Sequence, residues 1–100
     1  MNSIFLELIF NTNDLALAGI ESRDEIEEPL DESLSDAGLG AVTGGGSGST
    51  VAIIDVEIED ENKLDNAISL IRQVLQSLQV PPSTIIKRSR PSKMLYKVYN

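Results

Sequence analysis

Residues 50–59, Thr-Val-Ala-Ile-Ile-Asp-Val-Glu-Ile-Glu, set the architecture of this chain. Their second half alternates strictly. Ile54, Val56 and Ile58 fall on one side of an extended backbone, and Asp55, Glu57 and Glu59 on the other. Successive side chains of a strand point to opposite faces, so this pattern predicts a strand with one face buried and one face toward water.

Downstream, residues 63–79 read as a helix. Leu64, Ala67, Ile68, Ile71, Leu75 and Leu78 recur on one face, Asp60 or Asn62 supplies the cap, and Pro81-Pro82 closes the segment. Ile85-Ile86-Lys87-Arg88 reads as the fourth strand, ended by Pro91, with Met94 to Tyr99 as a further extended segment. Upstream, Gly44-Gly45-Gly46-Ser47-Gly48-Ser49 reads as a mobile hairpin loop with room for a partner, following a short second strand over residues 39–43. A phosphate-loop reading of the glycines fails, because no Lys precedes the Ser/Thr and a strand, not a helix, follows.

Residues 22–37 carry a capping box, Ser22 with Glu25, then an apolar stripe of Ile26, Leu30, Leu34 and Ala37, with Gly38 as the stop. Pro29 either kinks this helix or marks its first regular turn. Residues 4–10 form the first strand, with Ile4, Leu6, Leu8 and Phe10 on one side and Phe5, Glu7 and Ile9 on the other. The apolar segment Leu15 to Ile20 reads as a short helical turn packed on the sheet end, the alternative being a flap over a ligand.

The order β-α-β-β-α-β is the split pattern of the ferredoxin-like sandwich. The expected fold is therefore α+β: one domain, residues 1–100, with a four-stranded antiparallel sheet of order 4-1-3-2 and two helices on one face. This reading puts the first and third strands at the centre, side by side and parallel, and strands 2 and 4 at the edges, where lysines and arginines discourage edge pairing. One hundred residues, 41% of them hydrophobic, suit a single core. The run Glu7 to Asp14, followed by Ala37 to Gly46, resembles a group of small bacterial proteins of about this length. What the resemblance implies is a fold, and no functional residue comes with it.

Charge is segregated along the chain. All 16 acidic residues lie within residues 1–65, with Arg23 and Lys63 the bases there, which is 2 − 16 = −14. Residues 66–100 hold six bases and no acid, and −14 + 6 gives the net −8. Such polarity is either satisfied inside the fold or presented to a partner. A net negative chain disfavours nucleic acid. The basic segment Lys87 to Lys93, with Tyr96 and Tyr99 nearby, has the composition of an RNA contact, but carboxylates on the sheet would repel phosphate. A clasp of the basic end onto the acidic body is the preferred reading.

With neither Cys nor His, the usual zinc, haem and iron–sulfur ligand sets are absent, as are thiol and imidazole catalysis. No cofactor and no metal is expected. No apolar run approaches the length of a bilayer span, and Met1-Asn2-Ser3 lacks the basic stretch of a signal peptide, so a cytoplasmic protein away from membranes is expected. Asn11, Asn13 and Asp14 would approach Asp60, Glu61 and Asn62 if the first and third strands were parallel neighbours. Such oxygens suit a hard cation or paired-carboxylate chemistry, and equally suit helix caps. Without a nucleophile the chain reads as no enzyme, and a carboxylate or metal-dependent enzyme is the weakest of three functional readings.

The face away from the helices is more telling. It would show Phe5, Glu7, Ile9, Ile53, Asp55 and Glu57, an apolar stripe among acids, as a partner-binding face or a homodimer seam. The plainer alternative is that Lys87 or Arg88 simply lies across from Glu7 in exposed cross-strand pairs. The expected function is thus a non-catalytic binding module, engaging a protein partner or a second copy of itself through this face, with no nucleic acid and no membrane. The alternative is a small-molecule-sensing regulatory domain that dimerises.

Overall fold

In the computed structural model, β1 (Ile4–Asn11) is followed by α1 (Thr12–Leu17), α2 (Asp24–Asp36), β2 (Gly40–Ser47), β3 (Val51–Ile58), a 3-10 turn (Glu61–Lys63), α3 (Leu64–Ser77), β4 (Ile85–Arg90) and β5 (Met94–Lys97). The structure describes residues 3–90 and 93–99, and of residues 89 and 90 the backbone alone. Pro91, expected to end the fourth strand, lies outside the described residues. The fold is α+β, with one antiparallel sheet of order β2-β3-β1-β4-β5.

Alternation in β1 and β3 does what the sequence predicts. Ile4, Leu6, Leu8 and Phe10 are buried, as are Ile54, Val56 and Ile58. They share one core with Ile26, Leu30 and Leu34 of α2 and Ala67, Ile68, Ile71 and Leu75 of α3. Each fully buried Leu or Ile contributes about 1.5–3 kcal/mol. The helices therefore lie on one face of the sheet, and among the described residues no helix covers the other face.

Three expectations are corrected, and one open choice is decided. The sheet has five strands, because Met94–Lys97 pairs with β4. That addition makes β4 an inner strand and β5 the edge. Side chains of α3 hold the new edge in place: Arg72 Nε donates to the Lys97 carbonyl at 2.8 Å and Gln76 Nε2 to the Val98 carbonyl at 2.7 Å. Tyr99 donates its hydroxyl to the Val80 carbonyl at 2.6 Å, and Val98 is buried.

Second, β1 and β3 run antiparallel, with Ile4 opposite Ile58 and Asn11 opposite Val51. A single connection from β3 through α3 to β4, and a hairpin from β2 to β3, require that direction.

Third, Gly44 to Ser47 belong to β2 and not to a loop; the turn is confined to residues 48–50, closed by Gly48 N donating to the Val51 carbonyl at 2.7 Å. The glycines are there because β2 and β3 approach closely. A Cβ on Gly40 would collide with the Glu57 carbonyl, and one on Gly45 with the Ile53 carbonyl. Register slips between Val42 and Gly44, and the Val42 N–H at that bulge is taken by Asp31 Oδ1 of α2 at 2.9 Å.

The helix read over residues 22–37 forms as α2, and of the two readings of Pro29 the second fails: the helix runs from Asp24 through the proline, so its regular part does not begin there. Half of the capping box forms: the Glu25 carboxylate accepts from Ser22 N at 2.9 Å and Glu21 N at 2.8 Å, while the Ser22 hydroxyl accepts from Asp24 N. Gly38, at φ +68°, ends the helix as expected.

Candidate interaction face

Antiparallel pairing decides which groups meet. The two oxygen clusters that a parallel pair would have joined lie at opposite ends of β1 and β3. Eight paired residues at about 3.3 Å per residue hold them more than about 20 Å apart. Each serves locally as a cap. Asn11 Oδ1 accepts from Asp14 N at 3.0 Å to start α1, and Asp60 Oδ1 accepts from Asn62 N at 3.0 Å to start the turn before α3. Among the described residues no three Asp or Glu side chains converge where a metal ion could sit. The segment Leu15 to Ile20 is, as favoured, a short helix and its C-terminal turn, with Leu15 buried in the core.

The basic end meets the acidic body through the sheet. Lys87 Nζ lies 3.8 Å from Glu7 Oε1 across the β1–β4 pair, with both side chains about one-third exposed. Such a pair is worth only about 0.2–1 kcal/mol. Lys63 pairs with Glu59 at 3.1 Å, and Arg23 with Glu27 at 2.7 Å, both within the acidic part of the chain. Arg23 Nε and Glu27 Oε2 are buried and serve as each other's partner. Arg23 also lies over Gly45 and reaches the Ile53 carbonyl at 3.4 Å. Tyr96 and Tyr99, the aromatics expected beside the basic segment, pack against the core instead of standing on the open face. Arg90's side chain, Pro91 and Ser92 of that segment lie outside the described residues.

The six residues singled out in the sequence come together on the open face. Phe5 stands opposite Glu57, Glu7 opposite Asp55, and Ile9 opposite Ile53. All six are half-buried. Register with the outer strands adds residues that the sequence reading missed. One cross-strand row runs Gly46, Ile53, Ile9, Ile85, Lys97. The next runs Gly44, Asp55, Glu7, Lys87, Leu95. A third begins Ala41, Glu57, Phe5. Leu95 is 68% exposed, and Ile85 and Val51 are exposed as well. Ile85 could have been found from the alternation of the fourth strand. Leu95 could not, because its place on the face depends on pairing between β4 and β5.

The result is an apolar band, Ile53-Ile9-Ile85 with Val51 and Leu95 beside it. Acids lie toward the β3 side and lysines toward the β5 side. Val42, on the helix-facing side of β2, lines a separate acidic hollow with Asp24, Glu27, Glu28 and Asp31. A third feature is a cleft of about 410 Å³ at the α1 end of the sheet, lined by Thr12, Leu15, Ala16, Ile20, Arg23 and Ala52 among others. Among the described residues, no helix is long and apolar enough to cross a membrane. No protein-family model, no curated protein and no solved structure matches the chain.

Proposed function

We propose that this chain is a non-catalytic, cytoplasmic interaction module whose open sheet face, centred on Phe5, Glu7, Ile9, Ile53, Asp55 and Glu57, docks a protein surface. The order of its elements supports a ferredoxin-like sandwich extended by a fifth strand. The observation that carries the functional reading is the row Ile53-Ile9-Ile85, apolar across the three inner strands, with the charged row Asp55-Glu7-Lys87 along one side and Lys97 at its β5 end. An apolar patch that continues across several strands and is edged by polar and charged residues is characteristic of an interface. The two polar clusters at the strand ends are engaged locally, Asn11 and Asp60 each capping the turn that follows, and Tyr96 and Tyr99 pack on the core.

The test uses the protein as bait at low salt, beside a variant carrying Glu7→Lys, Asp55→Lys and Glu57→Lys, with circular dichroism showing both folded. A partner held by the first bait and released by the second supports the open face. Equal retention on both assigns binding to another surface.

A sensing domain is the second reading, and the cleft at the α1 end favours it, having a volume within the range of small-molecule sites. A metabolite that fills it would raise the melting temperature. A screen without any shift removes this alternative.

A further inference from the structure

We propose that the open face pairs with the same face of a second copy of this chain, about a two-fold axis lying along β1. The inference rests on the interaction-module reading and names its partner. Three features of the face argue for it: shape and charge, which are complementary about that axis, and size.

The first is shape. At one edge, β2 sets Ala41, Gly44 and Gly46 beside the open-face residues of β3, with Thr43 in the bulge between them, so that side carries small residues only. At the other edge, β5 contributes Leu95 and Lys97, which project. A two-fold along β1 carries each edge over the opposite one. Leu95 then falls over the hollow at Gly44, Lys97 over Gly46, Ile85 over Ile53, and Ile9 over its own copy. A two-fold across the strands would instead stack β5 on β5 and leave the two small-residue edges of β2 facing a gap. Face-packed sheets cross at about 30°, which displaces a strand about 10 Å from the axis by about 5 Å, less than the about 7 Å of a two-residue step. Leu95 therefore stays over the Gly44–Gly46 stretch.

The second is charge. In the two middle rows, Asp55 and Glu7 are matched by Lys87 and Lys97. The axis along β1 sets Asp55 of each copy between Lys87 and Lys97 of the other. Glu7, next to its own counterpart at the axis, keeps Lys87 of its own chain at 3.8 Å. A two-fold across the strands would lay β3 on β3 and β4 on β4, gathering Asp55 and Glu57 of both copies on one side and Lys87 of both on the other, whereas the axis along β1 brings only Glu7 near its own copy. Opposed like charges are strongly disfavoured in an interface.

The third is size. Three strands of eight residues, one of six and one of four, about 4.8 Å apart at about 3.3 Å per residue, present roughly 540 Å² of projected sheet before side-chain relief is added, on the order of the about 800 Å² per partner of a standard interface. A homodimer with a two-fold is also the commonest assembly of soluble proteins.

The experiment exploits the reciprocal contact between Asp55 and Lys87. Full-length wild type, Asp55→Lys and Lys87→Glu are run in sedimentation equilibrium at low salt, each alone, and the two variants also as an equimolar mixture. Wild type is expected at twice the 10.8 kDa chain mass. Each reversal alone puts like charges together at both symmetry-related contacts and should raise the dissociation constant about tenfold or more. In the mixed dimer, one contact sets the introduced lysine against the introduced glutamate, and the other keeps the native pair of Lys87 with Asp55. Opposite charges then meet at both contacts, and the mixture should recover the dimer. Both positions are half-exposed, and melting curves verify that each variant folds. If a reversal unfolds the chain, Asp55→Asn and Lys87→Gln replace the pair, and each should still weaken the dimer. A monomeric wild type, a dimer indifferent to the substitutions, or a reversal mixture no tighter than its components overturns the proposal. A monomer that still holds a partner through this face refutes self-pairing alone. A chain that does neither overturns the interaction-module reading with it.

Discussion

Three helices of this chain end in the same way, and at one of them the residue is wrong for the conformation. After α1, Gly19 N donates to the Ala16 carbonyl and Ile20 N to the Leu15 carbonyl; after α2, Gly38 N and Leu39 N do the same to Ser35 and Leu34. After α3, Gln79 N and Val80 N bond to the Gln76 and Leu75 carbonyls. This double bond requires a left-handed residue, a role that glycine fills at φ +83° and +68° and that Gln79 fills at +59°. A side chain there costs about 1–2 kcal/mol, and glycine's greater freedom in the unfolded chain returns about 0.5–1. Gln79→Gly should therefore raise stability by about 0.5–1 kcal/mol in a denaturant titration, and a loss would mean that the Gln79 side chain has a stabilising role. Thr84 is a second such place. It is buried, and its hydroxyl has no partner among the described residues. Thr84→Val removes that hydroxyl with little change of shape. It should stabilise by about 1 kcal/mol, because a buried polar group without a hydrogen bond is costly. No change on urea unfolding would indicate that water already satisfies the hydroxyl.

At the scale of elements, α2 contains its own fault. Pro29 sits in the sixth position of the helix, has no N–H, and leaves the Glu25 carbonyl without its intrahelical donor. Pro29→Ala should restore the bond and add about 1–2 kcal/mol of stability, seen as a higher melting temperature with more helical ellipticity. A lower melting temperature would mean that the ring's packing or its restriction of the unfolded chain outweighs the bond. The apolar stripe of α2 was legible despite the proline, because Ile26, Leu30 and Leu34 keep helical spacing on both sides of it. β1, β3 and α3 were legible for the same reason: each writes its buried face as a period of two or of 3.6. What the sequence concealed was written without side chains. Half of β2 is glycine, chosen for backbone contact with β3 at Gly40 and Gly45, and a residue lacking a side chain shows no alternation. The antiparallel course of β1 and β3 is likewise a property of connections, not of either strand. Misreading it joined two carboxylate clusters that the sheet keeps apart, whereas the six residues of the open face were found correctly because parity alone, not direction, assigns a residue to a face.

The whole molecule is polarised across the width of its sheet. The acidic helix α2 packs on β2, while the lysines Lys87 and Lys97 belong to β4 and β5 at the other side. The chain-long segregation of acids from bases thus becomes a lateral separation in space, relieved on the open face by the exposed pair of Lys87 with Glu7. A copy turned about β1 would lay the basic side of one molecule against the acidic side of the other, so local contacts and the overall field favour the same orientation. Two consequences follow for the dimer, and they separate shape from charge. Raising salt from about 0.05 to about 0.5 M shrinks the screening length severalfold, so the charge contribution should fade and the dissociation constant rise. Gly46→Leu tests shape alone. A Cβ at Gly46 meets nothing within 4 Å, so the substitution should leave the monomer's melting temperature nearly unchanged. Yet it fills the hollow that receives the partner's β5, and should weaken association about tenfold or more at any salt concentration. Sedimentation of this variant at both ionic strengths decides the matter. Weakened association at both means that the glycines of β2 form one half of a steric fit. Association equal to that of the wild type would place the second copy, or another partner, away from that edge.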